Sequence, residues 1–314
     1  MDTYLAVDIG GTQLRAAVYP AGATRPLAQK RILTQAKDQA PIDRLLDLIQ
    51  SVWPTDHRVC AIGMAAPGPL NPKTGVLFAA PNIPGWVNIP LAQIVQSRFN
   101  VPTFLGNDAN LAALSEWKFG AGQGYHNLLY ITISTGIGGG VIEDDRLLLG
   151  HQGLAAEIGH ITVLPDGPLC GCGQRGHLEA LASGTAIAHY VAEQLALGVP
   201  SSLSQIAKPS ARDVSLAADQ GDPLARSALT RAGTFLGHAI ADFLHLFNPQ
   251  IIVLGGGVSQ SGPLWMEAVR SSLSERVISP EYLHGLVITK AALGDDTGLL
   301  GALALALSQT SQPA

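Results

Sequence analysis

The sequence predicts an α/β protein, and three observations carry that expectation. Short apolar runs of strand character alternate along the chain with longer segments of helical period. Three of those strands run straight into glycines: residues 4–8 into Gly10-Gly11, 128–134 into the 135–140 stretch (TGIGGG), and 251–254 into Gly255-Gly256-Gly257. A strand, a glycine turn and a nearby Asp or Thr head each half of the chain, which reads as an internal duplication of pattern more than of sequence. At 314 residues the chain has room for two domains of ~100–200 residues each. Its 35 glycines exceed the typical ~7% and fit several obligatory tight turns.

Taken in order, residues 4–8 (YLAVD) form a short buried strand and 14–19 its return across a Gly-Gly hairpin. Such a turn leaves backbone N–H groups pointing outward that can hold a phosphate, although many Gly-Gly hairpins are turns and nothing more. Residues 42–52 have helical period, 59–65 read as a strand with Cys60 in its core, and 66–88 as a long Pro/Gly loop. Loops of that length tend to be functional. A helix over 90–99 and a strand over 101–105 follow, ending in Gly106-Asn107-Asp108. Asp108 opens an apolar helix to about Phe119, so its carboxylate is either a helix N-cap or a group held at a strand end for chemistry. Val141-Ile142 starts the return strand after the second glycine turn. Residues 178–197 and 223–247 read as long helices, 286–289 as one more strand, and 297–308 as a closing apolar helix.

Composition narrows the functions. Hydrophobic residues make up 47% and charged residues 14%, which suits a folded globule. The net charge is −5 with no basic run, so phosphate-driven nucleic-acid binding is not expected. The N-terminus lacks a basic n-region, and the most apolar helical stretch, 299–307, is short of the ~20 residues that span a bilayer. Three cysteines, two of them in a Cys-x-Cys, argue for a reducing compartment, and a cytoplasmic protein without membrane contact is expected. Neither G-x-x-x-x-G-K-[ST] nor a strand followed by G-x-G-x-x-G occurs, which disfavours P-loop and dinucleotide folds.

The densest chemistry lies between Glu157 and Glu179 (EIGHITVLPDGPLCGCGQRGHLE). Cys170 and Cys172 sit among glycines, so the backbone can wrap tightly and aim both sulfurs at one point. On its own a Cys-x-Cys is equally a glycine-rich loop with two reduced thiols. His160 and His177 complete a tetrahedral set of two thiolates and two imidazoles with no open position, the pattern of a structural zinc. Glu157 and Glu179 beside such a site point to a polyhydroxylated ligand.

With these residues in hand, the chain resembles the ROK family of sugar kinases, repressors and open reading frames. The motifs are DIGGT at 8–12, AAPGPL at 65–70, PNIPGW at 81–86 and NDAN at 107–110. TGIGGG at 135–140, EIGH at 157–160, the CGCG loop and LGGGVS at 254–259 continue the match. The resemblance implies a two-domain actin-like ATPase (ribonuclease-H-like) fold with an interdomain active-site cleft. Residues 1–118 and 297–314 would form the first domain and 119–296 the larger second one, carrying the zinc loop. It further implies an ATP-dependent sugar kinase acting on a hexose, with glucose phosphorylated at its 6-hydroxyl as the first expectation. An N-acetylhexosamine or fructose kinase is the nearer alternative and a sugar-responsive regulator the remote one. The first strand begins at Tyr4, which leaves no place here for the regulators' N-terminal DNA-binding domain.

By the same resemblance, Asp8, Gly10, Gly11, Thr12, Gln13, Thr135, Gly136, Gly138 and Gly139 would hold Mg²⁺-ATP, with Gly255, Gly256 and Gly257 near the adenosine. Asn107, Asp108, Glu157, His160 and Glu179 would bind the sugar, Asp108 as base, and a homodimer is expected. His177 stands where the family has a third cysteine, Gln13 where a lysine is common, and Ala156 where glycine is usual.

Overall fold

A computed structural model describes residues 1–36, 39–80 and 82–310. Pro81 of the PNIPGW stretch, and the last four residues of the expected returning segment 297–314, lie outside the described residues. The chain opens with an antiparallel hairpin of β1 (Asp2–Ile9) and β2 (Gln13–Pro20), whose turn is closed by Gly10 N donating to Gln13 O at 2.9 Å. β3 (Ala28–Leu33) adds an antiparallel edge; it is exposed along nearly its whole length, so no apolar run announces it. α1 (Pro41–Ser51) buries Leu45, Leu48 and Ile49, and β4 (Arg58–Ala66) runs parallel to β1.

Residues 66–88 are more ordered than one long loop. They hold a small antiparallel sheet of β5 (Leu70–Asn71), β6 (Val76–Ala79) and β7 (Val87–Ile89), anchored by buried Leu77 and Trp86. Strands this short show no readable alternation between Pro and Gly. α2 (Leu91–Phe99) stops at Asn100 in the left-handed region, φ 54°, a conformation Asn tolerates better than most residues. β8 (Thr103–Asn107) then pairs parallel to β4 and leads directly into α3 (Asp108–Phe119).

The second half begins with the β9 (Leu128–Ile133) and β10 (Ile137–Glu143) hairpin and the short edge strand β11 (Arg146–Leu147). The expected helix over 178–197 is two helices, α4 (Glu179–Ala182) and α5 (Gly184–Ala196). Ser183 interrupts it, its hydroxyl accepting Ala186 N at 3.1 Å as the N-cap of α5. α6 (Ala211–Asp219) starts with a Ser210/Asp213 capping box, a signal overlooked in the sequence. α7 (Pro223–Phe247), β12 (Ile251–Gly255), α8 (Pro263–Arg276), β13 (Val287–Lys290) and α9 (Thr297–Thr310) complete the chain. α8 was not expected either, because its few buried residues, Trp265, Val269, Ser272 and Leu273, make a weak apolar stripe.

The sheet orders are β3-β2-β1-β4-β8 and β11-β10-β9-β12-β13. Position by position the two agree, with two antiparallel and two parallel pairings in each. The duplication suggested by the glycine turns is therefore one of topology. The helices that follow the last strands exchange partners. α3 leaves β8 yet packs on β9 and β10, whereas α9 leaves β13 yet packs on β1 and β4, and the two helices lie against each other. Glycine permits the approach: a Cβ at Gly301 would stand 2.5 Å from Leu111 O, and one at Gly63 would overlap Ala302 O. Gly63→Ala should therefore cost at least the ~1–3 kcal/mol of an overpacked core, read as a lower denaturant midpoint at constant m. An unchanged midpoint would show that α9 can lift from β4 freely.

Candidate active site

The junction of β8 and α3 sets the site. Asn107 Oδ1 accepts Ala109 N at 3.0 Å and Asn110 N at 3.1 Å, so Asn107 is the N-cap. The capping role considered for Asp108 thus belongs to its neighbour. The Asp108 carboxylate accepts Ala109 N at 2.8 Å and is open to a cleft of about 1380 Å³. Enough protein still surrounds it for burial to dominate its acidity. Burial outweighs the Ala109 hydrogen bond, the Asp8 and Glu157 charges add to it, and the carboxyl is pushed up to about 6.

The cleft lies beyond the carboxyl ends of β4, β8 and β9, where ligands of open α/β sheets are usually held. Asn107, Asp108, Glu157, His160 and Glu179 all line it, as do Thr135, Gly136, Gly138 and Gly139. Asp8, Gly10, Gly11, Thr12, Gln13 and Gly255–Gly257 are not part of its lining. The first hairpin sits behind it instead, with Gly11 so close to cleft-lining Asn82 that a Cβ would overlap the Asn82 side chain. Asp8 Oδ2 takes Arg15 Nη2 at 2.6 Å and Nε at 2.8 Å, while Arg15 Nη1 donates to Asp295 O at 2.6 Å.

The glycine-rich turn expected over 135–140 is shorter. Ser134 N donates to Gly136 O at 2.9 Å, and β10 starts at Ile137, so Gly138, Gly139 and Gly140 are strand residues. Packing is the reason they are glycines. A Cβ at Gly138 would stand 3.0 Å from Ala109 Cβ, one at Gly140 2.7 Å from Ala113 Cβ, and one at Gly139 2.6 Å from Tyr130 O. In the third turn a Cβ at Gly255 would overlap the Tyr130 hydroxyl, Gly256 has φ 80°, and Gly257 faces open space.

A single 3-10 turn, Ile158–His160, presents Glu157 and His160. Ala156 just before it has φ 67°, a left-handed conformation that costs an L-residue ~1–2 kcal/mol; here the resemblance had anticipated glycine. One ligand atom from each of His160, Cys170, Cys172 and His177 lies within 4.8 Å of the others. Nδ1 of His160 is 3.7 Å from Cys170 Sγ, and Nδ1 of His177 is 3.3 Å from Cys172 Sγ. Tetrahedral zinc with ordinary bond lengths puts such N and S atoms about 3.6 Å apart, so the donor set fits that ion. His177 is buried at 8% exposure and turned toward Cys172. Burial pushes the Cys170 thiol up to about 11, a donor that binds as thiolate only when a cation displaces its proton. Glu179 links this loop to the second glycine hairpin. Its Oε2 accepts Ile137 N at 3.0 Å, and Cys170 Sγ donates to Oε1 at 3.5 Å.

Sequence reading overlooked Arg15, Gly68, Asn82 and Ser183 around the site. Arg15 was recoverable, since counting across the β1–β2 turn pairs it directly with Asp8. Gly68 and Asn82 lie in the stretch read as one loop, within the motifs at 65–70 and 81–86, to which no site role was given.

Two duplicated α/β sheets with a cleft at their strand ends, lined by Asn107, Asp108, Glu157 and His160, define the actin-like ATPase class. Residues 4–309 match the ROK family, and the chain belongs to it. The glucokinase of Streptomyces coelicolor is 35% identical over 314 residues, covering 98% of this chain and 98% of that protein. The crystal structure of a ROK family glucokinase from Streptomyces griseus in complex with glucose and AMPPNP is 36% identical. It superposes with a TM-score of 0.78 over 98% of this chain and 99% of that one. The xylose repressor of Bacillus subtilis is 31% identical over 301 residues, 95% of this chain and 75% of the repressor. The chain is an enzyme of the hexokinase/glucokinase type, a sugar kinase. No helix among the described residues is long and apolar enough to cross a membrane.

Carbon-detected titration of the Asp108 carboxyl should give a midpoint near 6. Glu157→Gln removes a like charge and should move that midpoint down. A midpoint close to the ordinary aspartate value would contradict this picture of the cleft.

Proposed function

We propose that the protein transfers the γ-phosphoryl group of ATP to the 6-hydroxyl of glucose, with Asp108 as the general base. The observation that carries this is the Asn107 cap, which leaves the Asp108 carboxylate open to the cleft opposite the Thr135-Gly136 turn with its acidity weakened to about 6. Likeness to glucokinases, one of them holding glucose and AMPPNP, supports the choice of substrates. In this reading Asn107, Glu157, His160 and Glu179 take the sugar hydroxyls, giving the orientation-specific polar readout such a pocket needs. Asp108 accepts the 6-hydroxyl proton as that oxygen attacks the γ-phosphorus and ADP leaves. Phosphoryl transfer asks a protein mainly for positioning and charge stabilisation.

Thr135, Gly136, Gly138 and Gly139 face the phosphates from one side of the cleft. Asp8, Gly10, Gly11, Thr12 and Gln13 would approach them as the halves close, and Gly255, Gly256 and Gly257 would border the adenosine. Both Arg15–Asp8 bonds fall on Oδ2, so Asp8 would hold Mg²⁺ through its other oxygen; the ion would neutralise charge on the phosphates. Zinc held by His160, Cys170, Cys172 and His177 would be architectural, fixing His160 through Nδ1 so that its other ring nitrogen faces the sugar. The moving units would be residues 1–118 with 297–314, and 119–296. A homodimer is the expected assembly, two-fold dimers being the commonest oligomers, and the cytoplasm the expected compartment. A sugar-responsive regulator is the second reading, favoured by the likeness to the xylose repressor; it needs sugar binding without transfer.

A coupled assay across glucose, mannose, N-acetylglucosamine, N-acetylmannosamine and fructose separates these readings, with glucose expected to be the best acceptor. Sugar binding without ADP formation would support the regulator. Asp108→Asn should lower kcat by ~10²–10⁴ with the fold intact, and near-normal turnover would remove Asp108 from the role. The base works as carboxylate, so kcat/KM for sugar should fall as pH drops through about 6, not about 4.

Metal analysis should find one zinc per chain. His177→Ala should lower that content and raise KM for sugar more than KM for ATP. Full zinc and full sugar affinity in this variant would remove His177 from the ligand set.

A further inference from the structure

Residues 120–127 lead from α3 into β9, both on the second sheet, and residues 291–296 carry the chain from β13 back to α9 on the first. One side chain holds both. Glu116, near the end of α3, is 0% exposed. Its Oε2 accepts Ala121 N at 2.8 Å in the α3–β9 connection, and its Oε1 accepts Ala292 N at 2.9 Å and Leu293 N at 3.0 Å in the returning crossing. Among the described residues no Lys, Arg or His forms an ion pair with it.

A buried carboxylate without a counter-ion is a costly way to fill space. Its particular quality is that both oxygens accept and neither donates, so it gathers peptide N–H groups from two strands of chain at once. Gly120 leaves the room it needs, because a Cβ there would overlap Oε2. The same helix carries Asp108 at its other end, and Ala109 rests on Gly138 of the opposite half.

We propose that Glu116 is a positioning residue for phosphoryl transfer: it pins the returning crossing at Ala292 and Leu293 to α3, the helix headed by Asp108 on the second sheet, and so sets the pivot about which the first half turns toward Asp108 when the halves close. This rests on the sugar-kinase reading above. Without the tie the returning crossing could move independently of α3, and the closed state would admit water and align the reactants poorly.

The test uses the full chain with Mg²⁺-ATP and glucose, measuring ADP and sugar phosphate separately in wild type, Glu116→Gln, Glu116→Ala and Gly120→Ala. Glutamine keeps the volume but turns an NH₂ toward N–H donors; alanine at 120 displaces the carboxylate without removing it. Each variant is assayed well below its own melting midpoint. Loss of the pivot should lower kcat by roughly 10–100-fold, as for a small misplacement far from the chemistry, with the glutamine variant less affected than Glu116→Ala. It should also raise the ADP released per sugar phosphate formed, which a merely lower folded fraction cannot do. Unchanged kcat and an unchanged ADP ratio in folded Glu116→Gln and Gly120→Ala would overturn the proposal. So would losses that only track the folded fraction, or failure of all three variants to fold, since Glu116 would then serve stability alone. A wild-type protein that phosphorylates no hexose would overturn the kinase reading itself, an outcome visible before any variant is compared.

Discussion

α3 rests on β10 at a distance that only glycine allows, and the rest of the site depends on that contact. With Ala109 against Gly138 and Ala113 against Gly140, the helix that starts at Asp108 lies directly on the opposite sheet. α9 makes the reciprocal approach through Gly63 and Gly301. Each sheet is covered by the helix that the other one issues, so the two halves are bound through a shared layer instead of merely touching. Side chains larger than a hydrogen at these points would hold the sheets apart and move Asp108 away from the second glycine hairpin.

Charge in the cleft is arranged around that geometry. Burial raises the Asp108 pKa and the Asp8 and Glu157 charges add to it, while Asp8 is partly answered by Arg15 and Glu179 Oε2 is held by Ile137 N. Asn107 does the capping that an aspartate would otherwise do, a neutral amide filling the helix-end role and freeing the neighbouring carboxylate. The His/Cys loop joins this network through Cys170 and Glu179, so the candidate zinc site and the glycine hairpin are mechanically connected.

Much of this was legible because it is local. The Gly10-Gly11 hairpin, the strand before Asn107 and the apolar helix after it follow from periodicity and turn chemistry over a few residues. The convergence of His160, Cys170, Cys172 and His177 was legible too, since a short glycine-rich loop has few ways to arrange four donors. What escaped was weakly patterned: β3 is exposed, β5 to β7 are only a few residues long, and α8 has a sparse apolar stripe. The break at Ser183 escaped because a serine within an apolar helical pattern signals a cap only once its side chain is seen to turn back on the backbone.

The sequence by itself determined the α/β class, the duplicated hairpins and the residues able to do chemistry, because each depends on neighbours in the chain. Tertiary structure decided the rest. Glycines 138 to 140 looked like a turn and are strand residues, because Gly138 and Gly140 lie directly under Ala109 and Ala113 of α3 and Gly139 is crowded by Ile158 and Tyr130 O. The exchange of α3 and α9 between the sheets, and the burial of Glu116 against Ala292 and Leu293, join residues far apart in the chain. No local pattern encodes such a meeting, since the partners of a buried carboxylate or a missing Cβ are chosen only when distant surfaces are packed together.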